Sequence, residues 1–222
     1  MKSKKTKRLA NADVCWVFFK EKRTKKLILT QTKMLMKKRF IFFAMMLLTL
    51  IGGANVLKAQ EDVVTINGNA TSYNQNYPIA FNSSYGLSQV IYNSTEINHI
   101  PGQIDKIAFK VNVTRTRNLS IYLQNTTDEN LTGWKSFDAN DMVYSGELEI
   151  TPTDGWFTID VSDFEYSGAN ILLTVADNTG STIYTYNEGC AYIGNAGRNC
   201  LAYKYNSSPV STSDTPNTNT RQ

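Results

Sequence analysis

Histidine is nearly absent from this sequence, and cysteine is scarce. The 222 residues include one His and three Cys, and only Cys190 and Cys200 lie beyond residue 60. A metal site with several His ligands, a Cys-rich zinc module and a catalytic triad with spare His candidates all need more of these residues. Chemistry of these kinds is therefore excluded by the inventory alone.

Acidic residues are almost missing from the first quarter of the chain. Residues 1–59 contain 15 Lys and Arg against 2 Asp and Glu, a balance of +13, whereas residues 60–222 contain 8 against 17, a balance of −9. The net charge of +4 hides this division. A region with a balance of −9 repels phosphate and has no basic stripe that would release counterions. We therefore expect no nucleic-acid partner.

A secretory signal peptide is predicted over residues 34–59. Three basic residues at positions 37–39 precede an apolar run over residues 40–56, and the small residue Ala59 follows shortly after. This order predicts a signal helix that is cleaved after Ala59, so that the mature chain begins at Gln60. The run of about 17 residues is only marginally long enough to cross a hydrocarbon core of about 30 Å. An uncleaved anchor is the alternative, and in either case the signal segment is the expected membrane contact.

Residues 1–33 form a basic leader in front of this signal. The basic region of a signal peptide normally begins the chain, and Met34 or Met36 would be a better start. Two interpretations are open: a misassigned translation start, or a real cytoplasmic leader that favours an anchored N-terminus. The expected destination of the remaining chain is secretion or the cell surface.

Beyond residue 60 the apolar residues alternate with a period of two, and no sustained helical stripe is present. Alternation is clearest at residues 107–113 and 119–123, and residues 171–176 are continuously apolar, as in a central strand. Residues 157–161 alternate as well, and weaker strands are predicted at residues 63–66, 78–81, 87–92, 142–150, 182–186 and 201–205. This pattern predicts an all-β antiparallel β-sandwich over residues 60–205, jelly-roll-like or, alternatively, immunoglobulin-like, preceded by the signal helix. The polar residues 206–222 predict a disordered tail.

Three segments of the chain carry a resemblance to a known class of domain. They are VYSGEL at 143–148, GWFTI at 155–159 and FEYSGANILL at 164–173. With these segments, residues 62–205 resemble β-sandwich domains of secreted and surface proteins from Bacteroidota, and they are loosely similar to the cleaved-adhesin domains of gingipain-type proteins. The resemblance implies export, a jelly-roll-like sandwich, and a role in adhesion or as an accessory module.

Cys190 and Cys200 are a candidate disulfide. They lie ten residues apart and are the only cysteines after the predicted signal. An even pair in an exported protein predicts a bond, because the destination is oxidising. Two reduced, buried thiols are the alternative, since a disulfide also needs Cα atoms within about 7 Å of each other.

Two oxygen-rich loops are candidate calcium or ligand sites. One contains Asp138 and Asp141, and the other contains Asp177 and Asn178 at the end of the predicted core strand. Carboxylate and amide oxygens suit calcium, although neither loop completes a coordination pattern and turn formation is the alternative. We interpret the single histidine, His99, as a loop residue.

Function is predicted only in outline. No nucleophile motif or carboxylate pair stands out among the residues after position 60. We therefore expect an exported, non-catalytic domain that takes part in adhesion or binds a glycan or a host or matrix protein. Two alternatives are open: an accessory domain cut from a larger secreted hydrolase, and a cryptic glycoside hydrolase with two facing carboxylates about 5–10 Å apart.

Overall fold

The computed structural model describes residues 15–20, 62–66, 69–184, 187–193 and 196–220. All of them belong to one of the two units into which the chain divides, residues 1–20 together with 61–222. The predicted signal helix over residues 34–59 lies outside the described residues. The elements are β1 (Cys15–Lys20), β2 (Asp62–Ile66), β3 (Ser72–Asn74), β4 (Tyr85–Tyr92), α1 (Ser94–Ile97), β5 (Gly102–Lys110), β6 (Arg115–Thr126), β7 (Met142–Ile150), β8 (Trp156–Tyr166), β9 (Asn170–Asp177), β10 (Cys190–Tyr192), β11 (Leu201–Asn206) and β12 (Asn217–Asn219).

The strands form two large antiparallel sheets. The six-stranded sheet has the order β12-β11-β4-β9-β6-β7, the four-stranded sheet has the order β2-β1-β5-β8, and β3 pairs with β10. This is the all-β sandwich that the period-two pattern predicts. In the four-stranded sheet β1 adds a strand from the leader, upstream of the predicted domain boundary at residue 60. Within the described ranges, no helix has the length and apolar character needed to cross a bilayer.

The core lies between the two sheets. Ile107 and Phe109 of β5 and Ile121 and Val175 of the facing sheet are each fully buried in it. Alternate residues of β6 are buried, as its sequence predicts, because only one face of that strand meets the core. The continuously apolar strand β9 lies between β4 and β6 and is buried along residues 171–175, as expected of a central strand.

The outer face of the six-stranded sheet is covered by the segment between β6 and β7, residues 127–141, which we call the strap. Leu131 of the strap belongs to a second apolar cluster, which comprises Ile91, Leu131, Leu172 and Ala202. The fully buried Gln89 of β4 donates its Nε2 to the Lys135 carbonyl and accepts the Lys135 N–H at Oε1, both at 2.8 Å. One side chain therefore satisfies two backbone groups of the strap.

The polar tail, which composition predicts to be disordered, contains the strand β12. Its residues pair with Leu201–Tyr203 in β11, and Trp134 Nε1 donates to the Asp214 carbonyl at 2.7 Å. Both kinds of contact use backbone groups of the tail and need no apolar side chain from it. Composition alone therefore gave no indication of this strand.

The predicted strand over residues 78–81 is instead an irregular segment. Arg117 Nη2 donates to the carbonyls of Ala80 and Ser83, both at 2.7 Å, and the Ala80 N–H donates to Asp177 at 3.3 Å. Because side chains satisfy these backbone groups, the segment does not need a neighbouring strand.

The predicted disulfide between Cys190 and Cys200 is not formed. Both residues are buried as thiols, which was the alternative interpretation of the pair. Cys190 pairs with Asn74 in the small β3–β10 sheet, whereas the carbonyl of Cys200 accepts the N–H of Ile91 in the six-stranded sheet. Cys190 thus lies in β10 and Cys200 directly before β11, which are strands of different sheets, and both residues remain thiols.

Candidate functional site

A groove of about 540 Å³ runs along the side of the sandwich where the edge strands of the two sheets meet. We call it the edge groove. Its walls come from the end of β6, the start of β7 and the middle of β8. It is lined by Leu123, Gln124, Asn125, Asn140, Asp141, Met142, Val143, Ser162, Asp163 and Phe164.

A bulge in β8 forms one wall of the edge groove. Lys106 of β5 pairs with Asp160, but Ile104, two residues earlier, pairs with Phe164, so residues 161–163 have no register partner on β5. Such bulges bend a strand and redirect its side chains. Here Asp163 is exposed on the bulge, and its carboxylate accepts no hydrogen bond from any described residue.

The opposite wall is the end of the strap, which is braced by its own side chains. Asp141 Oδ2 accepts hydrogen bonds from Gln124 Nε2 and from the Asp138 N–H, both at 2.9 Å. Asp138 Oδ1 accepts the Asn140 N–H at 2.7 Å. Asp138 and Asp141 therefore form a compact turn, and Asp141 lines the groove.

The floor of the edge groove is apolar and its rim is polar. Leu123 and Val143 are buried, and Phe164 is half-buried beside them. Asn140 and Asp163 are exposed on the rim. This combination suits a ligand that has both hydroxyl or amide groups and an apolar face.

The second predicted loop is closed by an ion pair. Asp177 Oδ2 accepts a hydrogen bond from Arg117 Nε at 2.8 Å and lies 2.7 Å from Arg117 Nη2, while Oδ1 accepts a hydrogen bond from Thr179 Oγ1 at 2.6 Å. Burial raises the pKa of Asp177, and the Arg117 guanidinium acts in the opposite direction. Both oxygens of this carboxylate are engaged within the protein, and the adjacent Asn178 is exposed with its N–H bonded to the Asn118 carbonyl.

The structure does not bring the two predicted loops together. Asp177 pairs with Leu119, whereas the Asp141 carbonyl accepts the N–H of Leu123, and these β6 residues are about 13 Å apart along the strand. No group of three or more His, Cys, Asp or Glu side chains in the described ranges is arranged to hold a metal ion. His99 lies in the loop after α1, as its sequence context indicates.

A second groove of about 410 Å³ lies beyond the start of β6. It is lined by Thr114, Arg115, Thr116, Arg117, Glu149, Ser181 and Ile183. Arg117 is bound to Asp177 and Arg115 to Glu188 at 3.0 Å, so both guanidinium groups already have carboxylate partners.

Sequence reasoning identified Asp141 but missed Asp163, Asn125 and Phe164. These residues come from strands that are distant in sequence, and the bulge that exposes Asp163 follows from sheet pairing. The acidic run around residue 163, inside a strand that otherwise alternates, was the available signal. No protein-family model, curated protein or solved structure matches this chain.

Proposed function

We propose that the protein is an exported, non-catalytic binding domain whose edge groove binds a glycan or a surface-exposed segment of a host or matrix protein. The observation that carries the proposal is the pairing of a braced wall, the turn at residues 138–141, with the exposed carboxylate of Asp163 on the β8 bulge. A preorganised site of this kind loses little conformational entropy when it binds. The signal peptide predicted from the sequence supports an extracellular ligand.

The chemistry of the groove favours a polyhydroxylated ligand over a purely apolar one. Asp163 and Asn140 offer acceptors and donors on the rim, and the half-buried Phe164 offers an apolar surface beside them. Sugar rings combine hydroxyl edges with apolar C–H faces, so they match both parts. The likeness to adhesin-type sandwich domains in the sequence supports the same class of ligand.

Binding is tested with the full chain on glycan arrays and on immobilised matrix proteins, followed by titration of each hit. Asp163→Ala is expected to lower the affinity about tenfold or more, because a charge-assisted hydrogen bond is lost. Glu149→Ala, which removes an exposed carboxylate from the second groove, is the matched control and should bind as the wild type does. Weaker binding by Glu149→Ala together with unchanged binding by Asp163→Ala would indicate that the ligand binds in the second groove instead.

The same binding measurements, repeated with EDTA, test whether calcium binds at the loop of Asp138 and Asp141. Loss of binding with EDTA and its return with Ca²⁺ would identify an ion-mediated contact through these oxygens. Binding that is unchanged by EDTA would identify direct contacts with the ligand.

A glycoside hydrolase is the second candidate, and one observation favours it: Asp141 at the end of the strap and Asp163 of β8 line the same groove. Two carboxylates that flank a bound sugar are the arrangement that glycoside hydrolysis requires. Glycosidase substrates are therefore assayed in parallel with binding. Turnover that Asp163→Asn abolishes and Glu149→Gln leaves intact would overturn the non-catalytic proposal.

A further inference from the structure

The leader strand β1 is an inner strand of the four-stranded sheet. It pairs antiparallel with β2 on one side and with β5 on the other. Three alternate positions of β1 lie opposite residues of β5: Cys15 opposite Phe109, Val17 opposite Ile107 and Phe19 opposite Ile104. Among the described residues β2 pairs with no strand except β1, so β1 joins β2 to the sheet.

The position of β1 in the sequence conflicts with the predicted fate of the chain. The apolar run over residues 40–56 separates β1 from β2. Cleavage after Ala59 would leave β1 on a separate polypeptide, and insertion of the run into a bilayer would leave β1 and β2 on opposite sides of it. In both cases the exported domain no longer contains β1 between β2 and β5.

The gap that remains, which we call the strand slot, would be unfavourable if it stayed empty. The backbone N–H and C=O groups of β2 and β5 that face β1 would lose their hydrogen-bond partners. Ile66, Ile104, Ile107 and Phe109, all at most 2% exposed, lie on the strands that border the slot. An exposed row of backbone groups beside apolar residues is a template for an incoming strand.

We propose that in the exported protein the strand slot is filled by an extended segment of another polypeptide, which adds in β1's place, antiparallel to both β2 and β5. The proposal rests on the predicted removal of residues 1–59 and goes beyond ligand binding at the edge groove. Because Ile104, Ile107 and Phe109 are fully buried, the incoming segment carries apolar residues at the three alternate positions opposite them. It is a partner polypeptide with apolar alternation over about six residues.

A mature copy of the same chain does not offer such a segment in its tail. Residues 206–222 consist of Asn, Ser, Thr, Pro, Asp, Arg and Gln with a single aliphatic residue, Val210. Part of that tail is already paired in the sheet as β12. The slot requires alternating apolar residues and the tail is polar. We therefore assign the occupant to a different polypeptide.

The test uses the full chain with β1 weakened and a synthetic strand supplied separately. Val17→Asp places a charge opposite the buried Ile107 and is expected to lower Tm by roughly 5–15 °C. It should also accelerate amide hydrogen exchange in Asp62–Ile66 and Gly102–Lys110. Ser136→Asp, which adds the same charge at an exposed position of the strap, is the control and should change neither.

A peptide of residues 13–22 with Cys15→Ala should then bind the Val17→Asp chain at one peptide per chain. Binding should restore Tm and slow hydrogen exchange in β2 and β5. Two controls of equal length should do neither: the same peptide with Val17→Asp, and a peptide of residues 206–215. If the Val17→Asp chain does not fold, Val17→Gly weakens β1 less, and incorporation of fluorescent peptide into that variant gives the same readout.

Four results would overturn the proposal. The first is unchanged exchange in β5 of the Val17→Asp chain, which would mean that β1 does not occupy the slot. The second is a destabilised chain that no apolar strand peptide rescues. The third is a swapped dimer of the full chain, detected by light scattering and dissociated by the peptide, because the occupant would then be a second copy.

The fourth result is an exported product that retains residues 15–20, detected by N-terminal sequencing. An exported product that begins at Gln60, and in which the amides of Gly102–Lys110 become protected when the peptide is added, supports the proposal. Glycan binding that depends on Asp163 is a separate readout, so failure here and failure of the proposed function are distinguishable.

Discussion

Arg117 and Asp177 join three segments of the chain through one buried ion pair. Their side chains are 3% and 0% exposed, and Arg117 also holds the carbonyls of Ala80 and Ser83. A buried ion pair offsets its desolvation only when further hydrogen bonds satisfy both groups, as they do here. Removal of one partner leaves the other charge buried without compensation.

Arg117→Met is therefore expected to lower the free energy of unfolding by about 3–5 kcal/mol. Arg115→Met, two residues away, breaks the more exposed pair with Glu188 and should cost no more than about 1 kcal/mol. Urea denaturation of the full chain measures both. An equal loss of unfolding free energy in the two variants would mean that the burial of Asp177 does not determine how much the Arg117–Asp177 pair contributes to stability.

Cys200 is a buried thiol whose ionisation is suppressed. Burial raises its pKa to about 11 from 9.0. Because the folded-state pKa is the higher one, the contribution of this thiol to stability is present below about pH 9 and is lost as pH rises towards 11.

Alkylation of folded protein at pH 8 should accordingly be at least about 100-fold slower at Cys200 than in urea, because only the thiolate reacts. Peptide mass spectrometry locates the label, and a small unfolded Cys peptide gives the reference rate. Rapid labelling of Cys200 in folded protein at this pH would contradict the buried position.

At the scale of elements, the strap over residues 127–141 connects the outer face of the sheet to the edge groove. Leu131 anchors it in the second apolar cluster, and Lys135 Nζ pairs with Asp128 at 2.8 Å within it. The hydrogen bond from Lys135 holds the pKa of Asp128 below its usual value. The strap is thus fixed before it reaches the turn at residues 138–141.

Gln89→Leu is expected to release the middle of the strap. It removes both hydrogen bonds to the Lys135 backbone and a third, at 3.1 Å, to Thr174 Oγ1. We expect a loss of about 1–3 kcal/mol and faster amide exchange at residues 131–137. Ser136→Ala, exposed on the same strap, is the control, and indistinguishable exchange in the two variants would contradict the role of Gln89.

At the scale of the whole molecule, the tail belongs to the six-stranded sheet. Deletion of residues 207–222 should expose β11 as an edge strand, remove the partner of Trp134 and lower Tm by roughly 3–8 °C. Amide exchange in Leu201–Asn206 should accelerate. Deletion of residues 221–222 alone is the control, and a truncated chain with unchanged Tm would mean that β12 adds no stability.

The sandwich itself was predictable from sequence because burial on one face leaves a period-two pattern. Phe109 and Ile121 are buried where alternation placed them, and the continuous run from Ile171 to Val175 is a central strand. These residues report directly on the face that meets the core. Fold class therefore followed from local pattern.

Other features depend on contacts between distant residues and were not predictable. The irregular path at Ala80 depends on Arg117, 37 residues later, and the separate positions of Cys190 and Cys200 depend on sheet order. The exposure of Asp163 depends on a mismatch in register between β5 and β8. Apart from the acidic run around residue 163, none of these features leaves a local signature, so only part of the candidate site could be named.

The division of the strap into an anchored part and a groove-lining part has a consequence for how such a domain changes during evolution. Residues 131–135 carry the packing and backbone bonds, whereas Asn140, like Asp163 on the bulge, is exposed and contributes nothing to the core. Substitutions at these rim positions leave the folded framework intact. Under the proposed function, the ligand preference of the domain is therefore free to diversify, and the same rim offers an engineer a set of positions to randomise.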